Sequence, residues 1–202
     1  IESILVAWQP GFETGNALAD ILTGKENPGG KLPLTFPRSL GQVPIYYNAL
    51  NTGRPIERED KVWASRYLDS PNSPAYPFGF GLSYTTFMYD APKVNKAKIK
   101  LGETVEVSVT VTNTGKVAGS ETVQCYIRDL VADISRPVKE LKGFEKIRLA
   151  PGEKRTVVFK LTENELAYWN TDAKRKADPG KFKVFTGGNS RDVQEVEFEL
   201  IR

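Results

Sequence analysis

Histidine is absent from this sequence, and cysteine occurs once, at position 125. Without histidine, the chain cannot contain a Ser-His-Asp or Cys-His catalytic site, or a metal site with histidine ligands. One cysteine can form neither an internal disulfide nor a cysteine-rich zinc site. Because Cys125 lies within the apolar run TVQCYI, we expect it to pack in a core. The residue types present therefore give no reason to expect a metal or a cofactor.

Long apolar runs and blocks of one charge are also missing. No run approaches the ~20 apolar residues that a membrane helix requires. The 28 Lys and Arg residues are interspersed with 25 Asp and Glu residues, which leaves a net charge of +3. We therefore expect neither a nucleic acid nor a membrane as a partner. With 40% apolar and 26% charged residues, the composition is that of a chain with a packed core.

The first part of the chain has the features of an α/β domain. The apolar segment SILVAW (3–8) predicts a strand of the kind that is buried in a parallel sheet. Residues 12–23 predict a helix, and Gly24 is placed to end it in a left-handed conformation. Because no strand precedes SILVAW to flank it, we expect the sequence to begin within a larger protein. Residues 37–87 lack periodicity, which is typical of functional surface or interdomain contact.

The second part of the chain changes to a period of two from about residue 91. In TVEVSVTVTN, one face consists of valines alone: Val105, Val107, Val109 and Val111. The segments ETVQCYIRDL, KRTVVFKLT, KFKVFTGG and QEVEFELI repeat this alternation between Gly, Pro and Asn turns. Short alternating strands with such turns predict an antiparallel β-sandwich of about 110 residues. The segment TENELAYW predicts a helical turn that offers Leu166 and Trp169 to the core.

Several motifs, in order along the chain, carry a resemblance to a known family. They are AWQPGFETGNALADILTGKENPGGKLPLTFPRS, YPFGFGLSYTTF, VTNTGKVAGSETVQCYI, SRPVKELKGFEKIRLAPGE and PGKFKVFTGG. Together they resemble the C-terminal part of glycoside hydrolase family 3, in particular its bacterial periplasmic β-glucosidases. The resemblance implies that residues 1–88 are the end of an α/β sandwich domain and residues 89–202 a fibronectin type III-like, immunoglobulin-like β-sandwich. The predicted class is therefore α+β overall.

The resemblance also implies an activity for a longer parent protein. Family 3 enzymes are retaining glycosidases, in which one carboxylate attacks the sugar and a second carboxylic acid protonates the leaving oxygen. The nucleophile is an Asp of an upstream barrel, and the acid lies in an upstream GE…SGE-type segment that is absent here. We therefore expect a periplasmic or secreted exo-acting β-glucosidase that removes terminal β-linked glucose. This chain would contribute scaffold to the barrel and α/β domain and be inactive alone.

Glu13, between two glycines in AWQPGFETG, has two interpretations. It is either an acid of the active site or a partner that contacts the true acid, or else a first-turn carboxylate that favours the helix through its dipole, worth roughly 0.3 to 1 kcal/mol. A helix N-terminus lowers the pKa of a carboxyl, whereas a general acid needs a raised pKa. The structural interpretation is therefore favoured.

The segment WASRYLDS combines aromatic and charged residues, as sugar sites do. Trp63, Arg66, Tyr67 and Asp69 are the candidate substrate-binding residues, and Arg66 and Asp69 could instead pair with each other. The alternative, which also covers Trp8, is that these residues pack a domain interface.

Residues 77–87 (PFGFGLSYTTF), here named the strap, are expected to anchor the two domains to each other. Each of their large aromatics can bury about 150 to 250 Å²: Phe78, Phe80, Tyr84 and Phe87. Gly79 and Gly81 would allow a close backbone approach or a sharp turn.

A function of a different class stays open, namely a standalone carbohydrate-binding or protein-interaction sandwich. Such a module would show several exposed, coplanar aromatics on one sheet face. The sandwich aromatics instead fall within apolar or alternating runs, which predicts core positions for six of them: Tyr126, Phe144, Phe159, Phe182, Phe185 and Phe198.

Overall fold

The computed structural model describes residues 3–51 and 65–202. Its helices are α1 (Thr14–Leu22) and α2 (Glu163–Leu166), with a 3₁₀ turn at Leu40–Gln42. The strands follow from residue 87 onward: β1 (Phe87–Tyr89), β2 (Lys93–Val94), β3 (Lys98–Lys100), β4 (Val105–Asn113), β5 (Gly119–Asp129), β6 (Glu140–Leu149), β7 (Lys154–Leu161), β8 (Tyr168–Trp169), β9 (Arg175–Lys176), β10 (Gly180–Gly187) and β11 (Val193–Ile201).

The longer strands form two sheets that pack face to face. In the first sheet, β4 pairs with β7 and also with the short β1 and β2. The second sheet has the order β3-β11-β10-β5-β6, antiparallel except for the β3–β11 pair. The chain thus passes from the first sheet to the second between β2 and β3. This is the β-sandwich that the alternating segments predicted.

The core lies between the sheets and follows the predicted period of two. The four valines of β4 that share a face are all at most 1% exposed: Val105, Val107, Val109 and Val111. From the opposite sheet, Val123, Cys125 and Ile127 of β5 face them in the same apolar cluster. Burial raises the pKa of the Cys125 thiol to about 12. The prediction that Cys125 packs in the core is therefore confirmed.

The segment SILVAW does not form the predicted strand. Residues 3–8 pair with no strand among the described residues, and Ile4, Leu5 and Val6 are 61%, 46% and 38% exposed. A strand exists only where a neighbour accepts and donates its backbone hydrogen bonds. The apolar pattern therefore marks a segment that is suited to burial, while the described chain supplies no sheet for it.

Helix α1 is shorter than predicted and begins at Thr14, so Glu13 is its N-cap residue rather than part of its first turn. The backbone carbonyl of Glu13 accepts the first helical hydrogen bond from Ala17, at 3.0 Å. At the other end, Gly24 has a φ of +76° and its N–H donates to the carbonyl of Ile21. The C-terminal prediction is confirmed.

Two aromatics and one strand of the sandwich differ from the predictions. Phe144 and Trp169 are 69% and 63% exposed, whereas the other five predicted core aromatics are buried. Phe144 lies on β6, which is the edge strand of its sheet. Strand β6 itself was not predicted, because its residues 140–146 show no alternation. In the segment TENELAYW, which starts with a capping box at Thr162, Leu166 is buried as predicted, whereas Tyr168 is buried in place of Trp169.

Candidate functional site

The predicted substrate-binding residues lie on the surface of the described chain, except that Trp63 lies outside the described residues. Arg66, Tyr67 and Asp69 are all exposed. The Tyr67 hydroxyl donates to the carbonyl of Gly41 at 3.3 Å. Tyr67 is thus tied to a neighbouring loop, and its role in substrate binding stays a prediction.

Trp8 lies on an exposed apolar surface, here named the apolar rim, formed by residues 3–12, and the exposed Glu13 follows it directly in the chain. Trp8 has a φ of +49° and contacts the ring of Phe36 edge-on, with 6.2 Å between ring centroids. Phe12 is fully exposed. The Glu13 carboxylate accepts a hydrogen bond of 2.7 Å from the Asn16 side chain. The Glu13 carboxylate thus contacts the amide of Asn16 from the N-cap position. This corrects the prediction that Glu13 acts on the helix dipole from within the first turn.

The strap lies between residues 30–32 and the second sheet. On one side, the N–H of Gly79 donates to Leu32 and the N–H of Leu32 donates to Phe80, both at 2.8 Å. On the other side, a Cβ at Gly79 would lie 2.1 Å from the side-chain oxygen of Gln124 on β5. Gly79 also has a φ of +78°, so both the conformation and the space require glycine here.

Gly81 is equally constrained by its neighbours. A Cβ at this position would lie 2.3 Å from the carbonyl oxygen of Gly30. Nearby, the Tyr84 hydroxyl donates to the carbonyl of Ile21 at 2.7 Å, so the strap also contacts the end of α1. Tyr84 nevertheless stays 52% exposed.

An aromatic stack joins the strap to the sandwich. Phe78 stacks on Tyr47 with ring centroids 4.4 Å apart, and Tyr47 contacts Tyr126 of β5 edge-on at 5.7 Å. The buried Gln124 donates to the carbonyls of Gly79 and Gly188, at 3.2 and 2.7 Å. Strand β5 is therefore buried on both faces, on one by the core and on the other by the strap.

A buried ion pair closes one end of this junction. Lys31 and Glu121 lie 2.9 Å apart, with side chains only 14% and 5% exposed. The Tyr89 hydroxyl donates to the same carboxylate at 2.7 Å. Burial and the negative charge of Glu121 raise the pKa of Tyr89, so the phenol stays a neutral donor. A residue of the first part thus neutralises a carboxylate of the sandwich.

A second carboxylate, Asp129, lies at the opposite end of β5. It is 6% exposed, and only one of its two oxygens has a partner, the N–H of Val131 at 3.2 Å. Burial raises its pKa to about 6, against the opposing effects of the Val131 N–H and of Arg136. Sequence reasoning missed both Glu121 and Asp129. The sequence did contain a signal, because the alternation along β5 places both carboxylates on the same strand face as its core residues.

No group of three or more cysteine or acidic side chains is arranged to hold a metal ion among residues 3–51 and 65–202. Within the same ranges, no helix is long and apolar enough to cross a membrane.

Comparison with known proteins matches each part of the chain to a known domain family. The family model described as the glycosyl hydrolase family 3 C-terminal domain matches residues 1–84, and the fibronectin type III-like domain model matches residues 121–190. The chain belongs to glycoside hydrolase family 3. The resemblance noted in the sequence, and the fold class of an α/β sandwich segment followed by a fibronectin-like sandwich, are thereby confirmed.

Relatives from this family match nearly the whole chain. A periplasmic β-glucosidase of Salmonella typhimurium is 50% identical over 99% of this chain and 26% of its own length. A β-xylosidase of Formosa agariphila is 47% identical over 99% of this chain and 27% of its own length. The solved β-glucosidase of Listeria innocua in complex with glucose superimposes with a TM-score of 0.91 at 45% identity, over 96% of this chain and 27% of that structure. The chain thus spans about a quarter of these family 3 proteins.

Proposed function

We propose that this chain is the C-terminal portion of a retaining, exo-acting β-glucosidase that hydrolyses terminal β-linked glucose. The observation that carries the proposal is the 50% identity to a β-glucosidase over 99% of this chain. The chemistry would follow the two-carboxylate, double-displacement route of retaining glycosidases. Both carboxylates belong to upstream segments in the family pattern, so the parts described here act as scaffold.

The junction between the two parts supports this role. The strap, the aromatic stack and the Lys31–Glu121 pair tie the described residues of the first part to the sandwich through groups that are mostly buried. The apolar rim, by contrast, leaves Ile4, Trp8 and Phe12 largely exposed. In the proposed enzyme, the rim is the face that contacts the upstream α/β domain, and the junction holds that face in place.

The test compares the 202-residue chain with the parent enzyme on aryl β-glucosides. The chain alone is expected to be inactive, because it lacks both catalytic carboxylates. Turnover by the purified chain that disappears on substituting one of its carboxylates would overturn the proposal. Aryl β-xylosides belong in the same assay, since one relative is a β-xylosidase. A preference of the parent for xylosides would replace glucose by xylose in the proposal.

The role of Glu13 is tested by Glu13→Gln in the parent enzyme. A lost general acid reduces the rate about 10²- to 10⁴-fold, mainly on substrates with poor leaving groups. Because the structure gives the carboxylate an Asn16 partner at the start of α1, we expect a change of less than about tenfold on good and poor leaving groups alike. A hundredfold loss confined to poor leaving groups would make Glu13 the acid.

The proposed location is the periplasm or the extracellular space. The name of the Salmonella relative, a periplasmic β-glucosidase, supports it. Fractionation of cells that express the parent gene tests it, and activity confined to the cytosolic fraction would contradict it.

A further inference from the structure

The candidate substrate-binding residues Arg66, Tyr67 and Asp69 belong to a stretch without regular secondary structure. Within the described chain, residues 65–75 contain neither a helix nor a strand. The backbone of such a stretch depends on side chains and turns for its hydrogen bonds, so contacts with other segments set its path. Leu68 is 93% exposed, and the three candidate residues are exposed as well. Other segments therefore hold this backbone while its side chains stay at the surface.

Gln42 ties this stretch to a part of the chain that is 29 residues away in sequence. Its side chain lies in a residue that is only 2% exposed. The side-chain oxygen accepts from the N–H of Arg38 at 2.6 Å, and the amide donates to the carbonyls of Pro71 and Ser73 at 2.8 and 3.4 Å. A buried amide with all its groups paired favours one geometry, because another arrangement would leave a polar group without a partner.

Two further contacts hold the backbone on either side of Tyr67. The side chain of Asn72 accepts from the N–H of Tyr67 at 3.0 Å and donates to the carbonyl of Ser65 at 2.7 Å. The Tyr67 hydroxyl donates to the carbonyl of Gly41, which directly precedes Gln42. The backbone around Tyr67 is therefore fixed against the same 3₁₀ turn that carries Gln42.

The chain that follows this turn is bound to the sandwich. Tyr47 takes part in the aromatic stack, and its hydroxyl accepts from the N–H of Leu141 on β6 at 3.4 Å. Two residues later, the carbonyl of Ala49 accepts from the N–H of Val138 at 2.9 Å. One continuous segment thus contacts the candidate substrate-binding stretch at its start and the fibronectin-like sandwich at its end.

We propose that residues 38–51, here named the bridging segment, position the substrate-binding residues of the parent enzyme, with Gln42 and Tyr47 as positioning residues that act through residues 66–69. The inference rests on the proposed function and on the predicted role of residues 66–69 in substrate binding. Through the bridging segment, the sandwich contributes to substrate affinity. Because the bridging segment bears on binding and not on the catalytic carboxylates, disturbing it should raise KM and leave kcat nearly unchanged.

The first measurement follows the anchoring in the 202-residue chain and needs no activity. Gln42→Glu keeps the shape of the side chain, but a carboxylate cannot donate to the two carbonyls. Hydrogen exchange of the Tyr67 amide, followed by NMR on the ¹⁵N-labelled chain, should become about tenfold faster, equivalent to one or two lost hydrogen bonds. The matched control is Gln194→Glu, because the exposed Gln194 also donates to a backbone carbonyl, that of Tyr89, at 2.7 Å. The control should leave the exchange of the Tyr67 amide unchanged.

The second measurement is the steady-state kinetics of the parent enzyme on an aryl β-glucoside. Tyr47→Leu joins Gln42→Glu here as a second variant, because it removes the ring stack and the hydroxyl without adding a charge. Each variant should raise KM about 2- to 30-fold, the range for residues that act through others, with kcat changed by less than about twofold. Val109→Ala truncates a buried core side chain and lowers stability, but it should leave KM unchanged.

Several results would overturn the proposal. They are an unchanged exchange rate of the Tyr67 amide in Gln42→Glu, an equal acceleration in Gln194→Glu, an unchanged KM in both variants, a loss confined to kcat, and an equal rise of KM in Val109→Ala. A parent that hydrolyses aryl β-xylosides in place of β-glucosides would contradict the proposed function alone. The KM comparison is then made on the xyloside, so the two proposals fail by different results.

Discussion

Replacing Lys31 by methionine removes the cation that neutralises the buried carboxylate of Glu121. Methionine keeps a similar length and shape, so the change is mainly one of charge. The two side chains are 14% and 5% exposed and lie 2.9 Å apart. Breaking a buried pair by removing one partner typically costs about 3 to 5 kcal/mol, because a charge is left buried without compensation. For a chain of this size, that loss lowers the midpoint of thermal unfolding by about 6 to 20 °C.

The assay is thermal unfolding followed by circular dichroism. The matched control is Lys98→Met, because the Lys98–Glu199 pair has the same 2.9 Å separation with side chains 66% and 37% exposed. Solvent screens such a pair, so the control should leave the midpoint nearly unchanged. Adding Glu121→Gln to Lys31→Met should recover part of the loss. A deficit below about 1 kcal/mol would refute the reasoning.

Three further predictions concern stability. Gly79→Ala places a Cβ 2.1 Å from the side-chain oxygen of the buried Gln124. It should destabilise the chain by more than Gly152→Ala, because Gly152 has a similar positive φ but open space around it. Equal denaturation midpoints of the two variants would contradict this. Burial raises the folded pKa of Asp129 from 3.8 to about 6, so the ionised carboxylate destabilises the fold at pH 8. Asp129→Asn should therefore stabilise the chain at pH 8, by at most about 3 kcal/mol, and have little effect near pH 4. A thermal midpoint of the variant below that of wild type at pH 8 would contradict this. Residues 89–202 should unfold cooperatively alone, and a cooperative transition from residues 1–88 alone would be the contrary result.

Local pattern predicted most of the sandwich. The alternation in β4 determined that its valines would be buried, and the position of Cys125 within an apolar run determined its burial. The pattern did not predict β6, because apolar and polar residues do not alternate along residues 140–146. It was also misleading at Phe144, which an edge strand leaves exposed. Hydrophobicity alone does not say whether another layer covers a residue.

The candidate site residues show the same limit. The glycine pattern of the strap predicted close approach, but the partners, Gln124 and Gly30, are distant in sequence. Glu121 and Asp129 share one strand face, and nothing local distinguishes them. Only the assembled fold gives Glu121 a lysine and a tyrosine while one oxygen of Asp129 has none.

The sequence by itself therefore determined the two-part organisation, the sandwich class and the family, because period, turn residues and motifs are local properties that each segment carries along the chain. The tertiary structure decided which carboxylate is neutralised, which glycine is irreplaceable and which apolar residues stay exposed. These depend on groups that meet across the chain, such as Lys31 with Glu121 across ninety residues. Electrostatic and packing energies are set by separation and burial in space, and the order of residues does not state either one.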